Sequence, residues 1–194
     1  MVKLIGSRKI RTAVFISGTG SNFRNLLKFS TLKKSPIKII CVISNNSKAK
    51  GLKYARNYKI KKIILKFTDK KNDEKKILLK LRKNKINLIC LAGFMKILSA
   101  NFIKRFNGKI LNIHPSLLPK YKGLDTHKRA IQNNEKFSGC SVHYVSAKLD
   151  SGKIILQKKV KIFDKDTPKT LAKRVLKQEY ILYRKALTKI FPNL

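Results

Sequence analysis

Acidic residues are scarce in this chain: nine Asp plus Glu stand against 47 Lys plus Arg in 194 residues, a formal net charge of +38 at pH 7. Tryptophan is absent, and the chain has only three cysteines and five prolines. Each shortage excludes something. Cys41, Cys90 and Cys140 lie far apart in apolar or strand-like runs. They form no CxxC pair that would hold a metal and no even, closely spaced set that would build a disulfide framework, so they read as buried, reduced thiols. No apolar stretch approaches the roughly 18–20 residues that a membrane span requires. The opening MVKLIGSRKI is basic but lacks the apolar core of about 7–15 residues of a secretory signal. A cytoplasmic protein that does not enter a membrane is expected. No repeat, low-complexity linker or composition break marks a second domain. The expected organisation is a basic N-terminal extension over residues 1–9 and one domain over residues 10–194.

An excess of positive charge ordinarily points to nucleic acid. Here it consists of 38 Lys and only nine Arg, spread along the whole chain, whereas phosphate and base recognition favours the planar Arg fork. The excess therefore reads as a compositional bias carried on solvent-facing positions, including the pairs at 33–34, 61–62 and 75–76. No specific nucleic-acid partner is expected, only weak, salt-sensitive attraction to polyanions.

Short apolar runs alternate with longer amphipathic ones. Strands are predicted at 11–17, 37–44, 61–66, 86–92 and 109–113, with helices at 21–34, 48–58, 70–84 and about 99–106. Ile77, Leu78 and Leu81 recur at the spacing of one helical face. Such alternation implies crossover units and a mostly parallel sheet. Beyond Ile131 two strand-like runs, 139–146 and 153–162, flank a short turn containing Asp150-Ser151-Gly152 and are expected to pair antiparallel. A long helix over roughly 167–190 closes the chain, with Asp166 or Thr167 as its cap and Pro168 in its first turn.

Three segments carry the chemistry. Ser17-Gly18-Thr19-Gly20-Ser21-Asn22 joins the first strand to the first helix. Glycines let backbone N–H groups approach an anion and the helix dipole favours it, which suits a phosphate; Ser21 as a helix cap is the plainer reading. The loop is neither GxGxxG nor a Walker A motif, so neither a dinucleotide nor ATP is implied. Asn112-Ile113-His114-Pro115 ends a strand, and residues two apart share a face, so Asn112 and His114 project together. An amide donor beside an imidazole suits a developing oxyanion and a proton transfer. Asp150 is one of few acids; it is either a turn residue capping its own backbone or a carboxylate that orients His114.

FISGTGSNFRNLL, LAGFMKILS, LNIHPSLLPKYKGLDTHKRAI and SVHYVSAKLDSGKIILQ together resemble the phosphoribosylglycinamide formyltransferase family of folate-dependent formyltransferases, over nearly all of residues 10–190. That resemblance implies an α/β, Rossmann-like three-layer fold with a mostly parallel sheet and an antiparallel C-terminal strand pair. It implies transfer of the formyl group of 10-formyltetrahydrofolate, without a metal, to the amine of glycinamide ribonucleotide in purine biosynthesis, by a monomer or homodimer. By the same resemblance Asn112, His114 and Asp150 are the catalytic set: His114 as general acid, Asn112 binding the oxyanion, and Asp150 holding His114 and a proton-relay water. Gly20, Ser21, Asn22 and Glu179 would bind the ribonucleotide. Lys70, Met95, Lys96, Ile97, Leu98 and Asn112 would contact the folate. The chain departs from the family pattern at Lys70, where Arg is common, and at Asp125 and Tyr180, where His is common.

Related and unrelated rivals make different demands. A methionyl-tRNA formyltransferase carries a second C-terminal domain and lacks the GTGSN form of the first loop. A formyltetrahydrofolate hydrolase carries an extra N-terminal domain. A non-enzymatic RNA-binding module predicts exposed aromatics interleaved with basic patches, whereas Phe15, Phe94 and Tyr144 fall in strand or pocket-like segments.

Overall fold

The computed structural model describes residues 9–192; most of the expected basic extension, and the last two residues of the expected domain, lie outside the described residues. The elements run β1 (Ile10–Ile16), α1 (Ser21–Ser30), β2 (Ile37–Ser44), α2 (Leu52–Asn57), β3 (Lys61–Ile64), α3 (Lys70–Lys83), β4 (Leu88–Leu91), α4 (Ala100–Arg105), β5 (Lys109–His114), α5 (Thr126–Gln132), β6 (Phe137–Tyr144), β7 (Ile154–Lys161) and α6 (Pro168–Ile190). The strands make one sheet in the order β3-β2-β1-β4-β5-β6-β7. β1 to β5 pair in parallel, β5 with β6 antiparallel, and β6 with β7 antiparallel. The expected α/β architecture with an antiparallel C-terminal pair is the one observed.

Alternation along β1 explains the three layers. Val14 and Ile16 face a core shared with Phe23, Leu26 and Leu27 of α1 and Leu171, Val175 and Leu187 of α6. Ala13 and Phe15 face the opposite core, with Ile77 and Leu81 of α3 and Phe102 of α4. Full burial of each large side chain contributes roughly 1.5–3 kcal/mol, so both faces of the sheet are anchored. In β2, Ile39 joins the first core and Cys41 the second. Residues two apart would otherwise share a face, but a register shift skips Ile40 between the β1 partners Thr12 and Ala13. The three cysteines are free and buried. Burial pushes the Cys90 and Cys140 thiols up to about 12 and that of Cys41 to about 11.

Helix ends follow local chemistry. Asp69 accepts from the Asn72 amide at the start of α3, and Ser99 from Phe102 at the start of α4. Thr167, rather than Asp166, caps α6, through a reciprocal box with Thr170 and with Pro168 in the first turn. Asp166 instead accepts from Arg174 and from the Thr170 hydroxyl. Its carboxyl is held well below the usual range, first by the hydrogen bond from Arg174. Three expectations need correction. The first helix stops at Ser30, because residues 31–34 are all exposed and present no apolar face. The second begins at Leu52, not 48, because the Asn46 side chain accepts from the Lys48 amide in a competing turn. Helix α5 was not expected at all; it is seven residues long and buries only Thr126 and Ala130, too little to leave a periodic signal.

Candidate active site

Strand order reverses direction about β1, whose neighbours are β2 and β4; clefts in open α/β sheets form beyond the carboxyl ends of strands at such a point. Here the loop after β1 enters α1 through Gly20, in the left-handed region at φ 69°. A Cβ on Gly20 would lie 2.6 Å from the Gly51 Cα, so neither the dihedral nor the space admits a side chain. Gly20, not Ser21, therefore takes the cap position, and it offers no side chain to the first-turn N–H groups of α1. Those groups lack intrahelical partners and carry the positive end of the helix dipole, an arrangement suited to an anion.

At the end of β5 the expected same-face pair is present. Asn112 and His114 both line one cavity of about 910 Å³, while Ile113 packs into the α1–α6 core. Asp150 reaches the same place from the β6–β7 connection, in the left-handed region at φ 44°. Its Oδ2 lies 3.5 Å from His114 Nδ1 and accepts from the Gly123 amide at 2.9 Å. Its Oδ1 lies 3.5 Å from Asn112 Nδ2. The His114 and Asp150 side chains are 6% and 9% exposed. His114 Nε2 sits 2.8 Å from the Tyr121 carbonyl. A carbonyl only accepts, so Nε2 is the donor in this contact, and Nδ1 is the nitrogen that faces the carboxylate.

The cavity joins the other segments to these. Gly20, Ser21 and Asn22 line it on one side, and Met95, Lys96, Ile97 and Leu98 on another. Met95 and Ile97 are exposed, 63% and 57%, and Leu98 is buried, so the wall presents apolar surface to an incoming molecule. Ser17 ties the two sides together. Its hydroxyl accepts from the Met95 amide at 2.7 Å and donates to Asn45 Oδ1 at 2.5 Å. Glu179 of α6 also lines the cavity and accepts from Asn22 Nδ2 at 2.6 Å. Burial pushes its carboxyl up, against the opposing effect of the Asn22 hydrogen bond. Asn22 Oδ1 is buried without a partner. Lys70 is not brought in: it is exposed at the first position of α3 and outside the cavity lining. Asp125 lines the cavity and takes the cap position of α5 at φ 55°, without a side-chain hydrogen bond to the helix. Among the described residues, no three His, Cys, Asp or Glu converge as a metal site, and no helix is long and apolar enough to cross a membrane.

Sequence reasoning assigned no role to His143 and His127, which line the same cavity. His143 is the cross-strand partner of Asn112, a relation that exists only once β6 pairs antiparallel with β5. Its signal was the β6 alternation that places it on one face with Ser141, but the facing strand was unknown. His127 lies on α5, the unexpected helix; burial lowers its imidazole, with the nearby His114 adding to the effect.

A sheet of this topology, with an amide, an imidazole and a carboxylate at the strand ends beside an anion-ready loop, defines a group-transfer site on a Rossmann-like scaffold. The chain belongs to the formyl transferase family: the family profile described as Formyl transferase matches residues 10–187. It is 42% identical over 176 residues to "Phosphoribosylglycinamide formyltransferase" of Haemophilus influenzae, covering 89% of this chain and 83% of that protein. It is 41% identical over 183 residues to "Trifunctional purine biosynthetic protein adenosine-3" of Homo sapiens, covering 93% of this chain but only 18% of that protein. For the Drosophila melanogaster protein of the same name it spans 14% of the length. Among solved structures, phosphoribosylglycinamide formyltransferase from Brucella melitensis matches with a TM-score of 0.90 at 42% identity, covering 96% of this chain and 98% of that one.

Proposed function

We propose that this chain transfers the formyl group of 10-formyltetrahydrofolate to the amine of glycinamide ribonucleotide, giving formylglycinamide ribonucleotide and tetrahydrofolate in purine biosynthesis. Residues 10–194 would act as one catalytic domain on these small molecules in the cytoplasm. The observation that carries the reading is one cavity that joins an uncapped helix N-terminus, an apolar wall and the Asn112–His114–Asp150 cluster. The phosphate suits the Gly20–Asn22 loop, and the ribonucleotide's polar groups suit Glu179. The flat pterin suits Met95, Ile97 and Leu98.

In the reaction, the amine nitrogen bonds to the formyl carbon, negative charge develops on the formyl oxygen, and the bond from carbon to the folate nitrogen breaks. The amine loses one proton, which would pass by way of a water held by Asp150 to His114, and the folate nitrogen gains one from His114, so the site ends as it began. An Asn112 N–H would donate to the charged oxygen, and a preorganised donor of this kind is worth about 2.7–4 kcal/mol. His114 would exchange protons through Nδ1, the nitrogen beside Asp150 and its relay water, because Nε2 is held by the Tyr121 carbonyl. Asp150, fixed by the Gly123 amide, would hold the imidazole and partner its charged form.

The test is purified protein with 10-formyltetrahydrofolate and, separately, glycinamide ribonucleotide, methionyl-tRNA or water as acceptor. Turnover with the ribonucleotide is expected. Turnover only with tRNA, or without any acceptor, would sink the assignment.

A further inference from the structure

His143 is a buried residue that the mechanism above does not use. Its side chain is 2% exposed, and it stands directly across from Asn112 in the β5–β6 ladder. Nδ1 lies 2.8 Å from the Tyr144 carbonyl. A carbonyl only accepts, so Nδ1 bears the proton and Nε2 of the neutral ring bears a lone pair. That lone pair is 3.2 Å from Asn112 Nδ2. Asp150 Oδ1, also an acceptor, lies 3.5 Å from the same nitrogen and 3.7 Å from His143 Nε2.

An asparagine amide can sit in either of two orientations related by a half turn, and its neighbours decide between them. Both polar neighbours of Asn112 here are acceptors, so the NH2 group must face them. One N–H is taken by the His143 lone pair at the shorter distance. The other is held only by the longer contact to Asp150 and remains available for a third acceptor in the cavity.

We infer that His143 is a positioning residue: it locks the Asn112 amide with its NH2 group toward the reacting centre, so that the amide donates to the formyl oxygen. Without the imidazole lone pair, the half-turned amide would present its own oxygen, and two acceptors would meet where a hydrogen bond is required. The inference rests on the proposed formyl transfer, and Asn112 is the group through which His143 acts. Burial of the ring lowers its imidazole from the ordinary value, in keeping with a neutral acceptor.

The test compares His143→Phe and His143→Gln, each alone and combined with Asn112→Ala. His143→Phe removes the lone pair and should lower kcat by on the order of 10²-fold, the scale of losing one oxyanion donor, with both KM values within about twofold. His143→Gln, whose side-chain oxygen reaches the place of Nε2, should restore much of that loss. In the Asn112→Ala background, His143→Phe should cost nothing further. An unchanged kcat, no rescue by Gln, or an equal loss in the Asn112→Ala background would each overturn the inference. Nitrogen-15 NMR of the unsubstituted protein gives a check that does not depend on how the variants fold. It should show a protonated Nδ1 and a bare Nε2 on His143, and the reverse tautomer would refute the role. If the unsubstituted protein transfers no formyl group, the functional reading fails, and the tautomer still decides whether His143 can hold the amide.

Discussion

His114 has one nitrogen against the Tyr121 carbonyl and the other facing Asp150, so its two nitrogens meet different partners. His114→Ala should fold normally and lose most of the rate, as should Asp150→Asn. The Asn variant keeps the side chain's shape but removes its charge. We expect kcat to fall by roughly 10²–10⁴-fold, the usual contribution of a positioned acid–base group. Near-full activity in either variant under steady-state assay would remove that residue from the catalytic assignment. Glu179 shows the opposite balance between stability and function. Its carboxyl is pushed up by burial, so the folded state holds this proton more tightly than the unfolded chain does. The stability this group contributes is full below the ordinary Glu range and is lost as pH rises through the raised value. Glu179→Gln removes that dependence. Its Tm should exceed the parent's on the alkaline side by roughly 2–4 °C per kcal/mol recovered, and the gap should widen in calorimetry as pH rises above the ordinary Glu range. The same variant should raise KM for the ribonucleotide. A gap that narrowed with rising pH would contradict the proposed sign.

Two places, the β1–α1 junction and the β5–β6 ladder, position the glycine loop and the Asn112–His114 pair. At the junction, Gly20 and Gly51 pass so closely that a Cβ on Gly20 meets the Gly51 backbone at 2.6 Å, in a conformation that disfavours L residues. Gly20→Ala should therefore cost about 2–4 kcal/mol from the left-handed dihedral plus the displaced backbone. Thermal denaturation should show a Tm lower by roughly 5–15 °C, with KM for the ribonucleotide raised in whatever folds. A Tm unchanged within error would mean the loop has room that this close approach denies. Elements with a long periodic signal were legible from the sequence: β1, β2, α3 and α6 lie close to where alternation or helical spacing put them. Helix α5 was not, because seven residues with two buried positions do not repeat anything. The early start expected for α2 failed because Asn46 turns its own backbone, a competition that hydrophobic patterning does not register.

Across the molecule, the positive charge lies where solvent can reach it. No described lysine is buried, and all are exposed apart from Lys9 and Lys122, which are half-buried. Attraction to polyanions should accordingly be weak and steeply salt-dependent. Binding to RNA or heparin at low salt should vanish by roughly 0.2 M salt, measured by fluorescence anisotropy, while kcat barely changes. Tight, structure-selective RNA binding at high salt would overturn the view of the lysines as a solvated surface. The sequence by itself determined what local periodicity encodes: the alternation of strands and helices, the loop poised at the end of β1, and the shared face of Asn112 and His114. Only the tertiary structure decided which distant groups meet. Asp150 comes within reach of Asn112 across 38 residues, and Glu179 meets Asn22 across 157. His143 faces Asn112 because β6 runs antiparallel to β5. Strand pairing and helix docking depend on burying whole faces at once, and no local spacing in the chain records which faces will be matched.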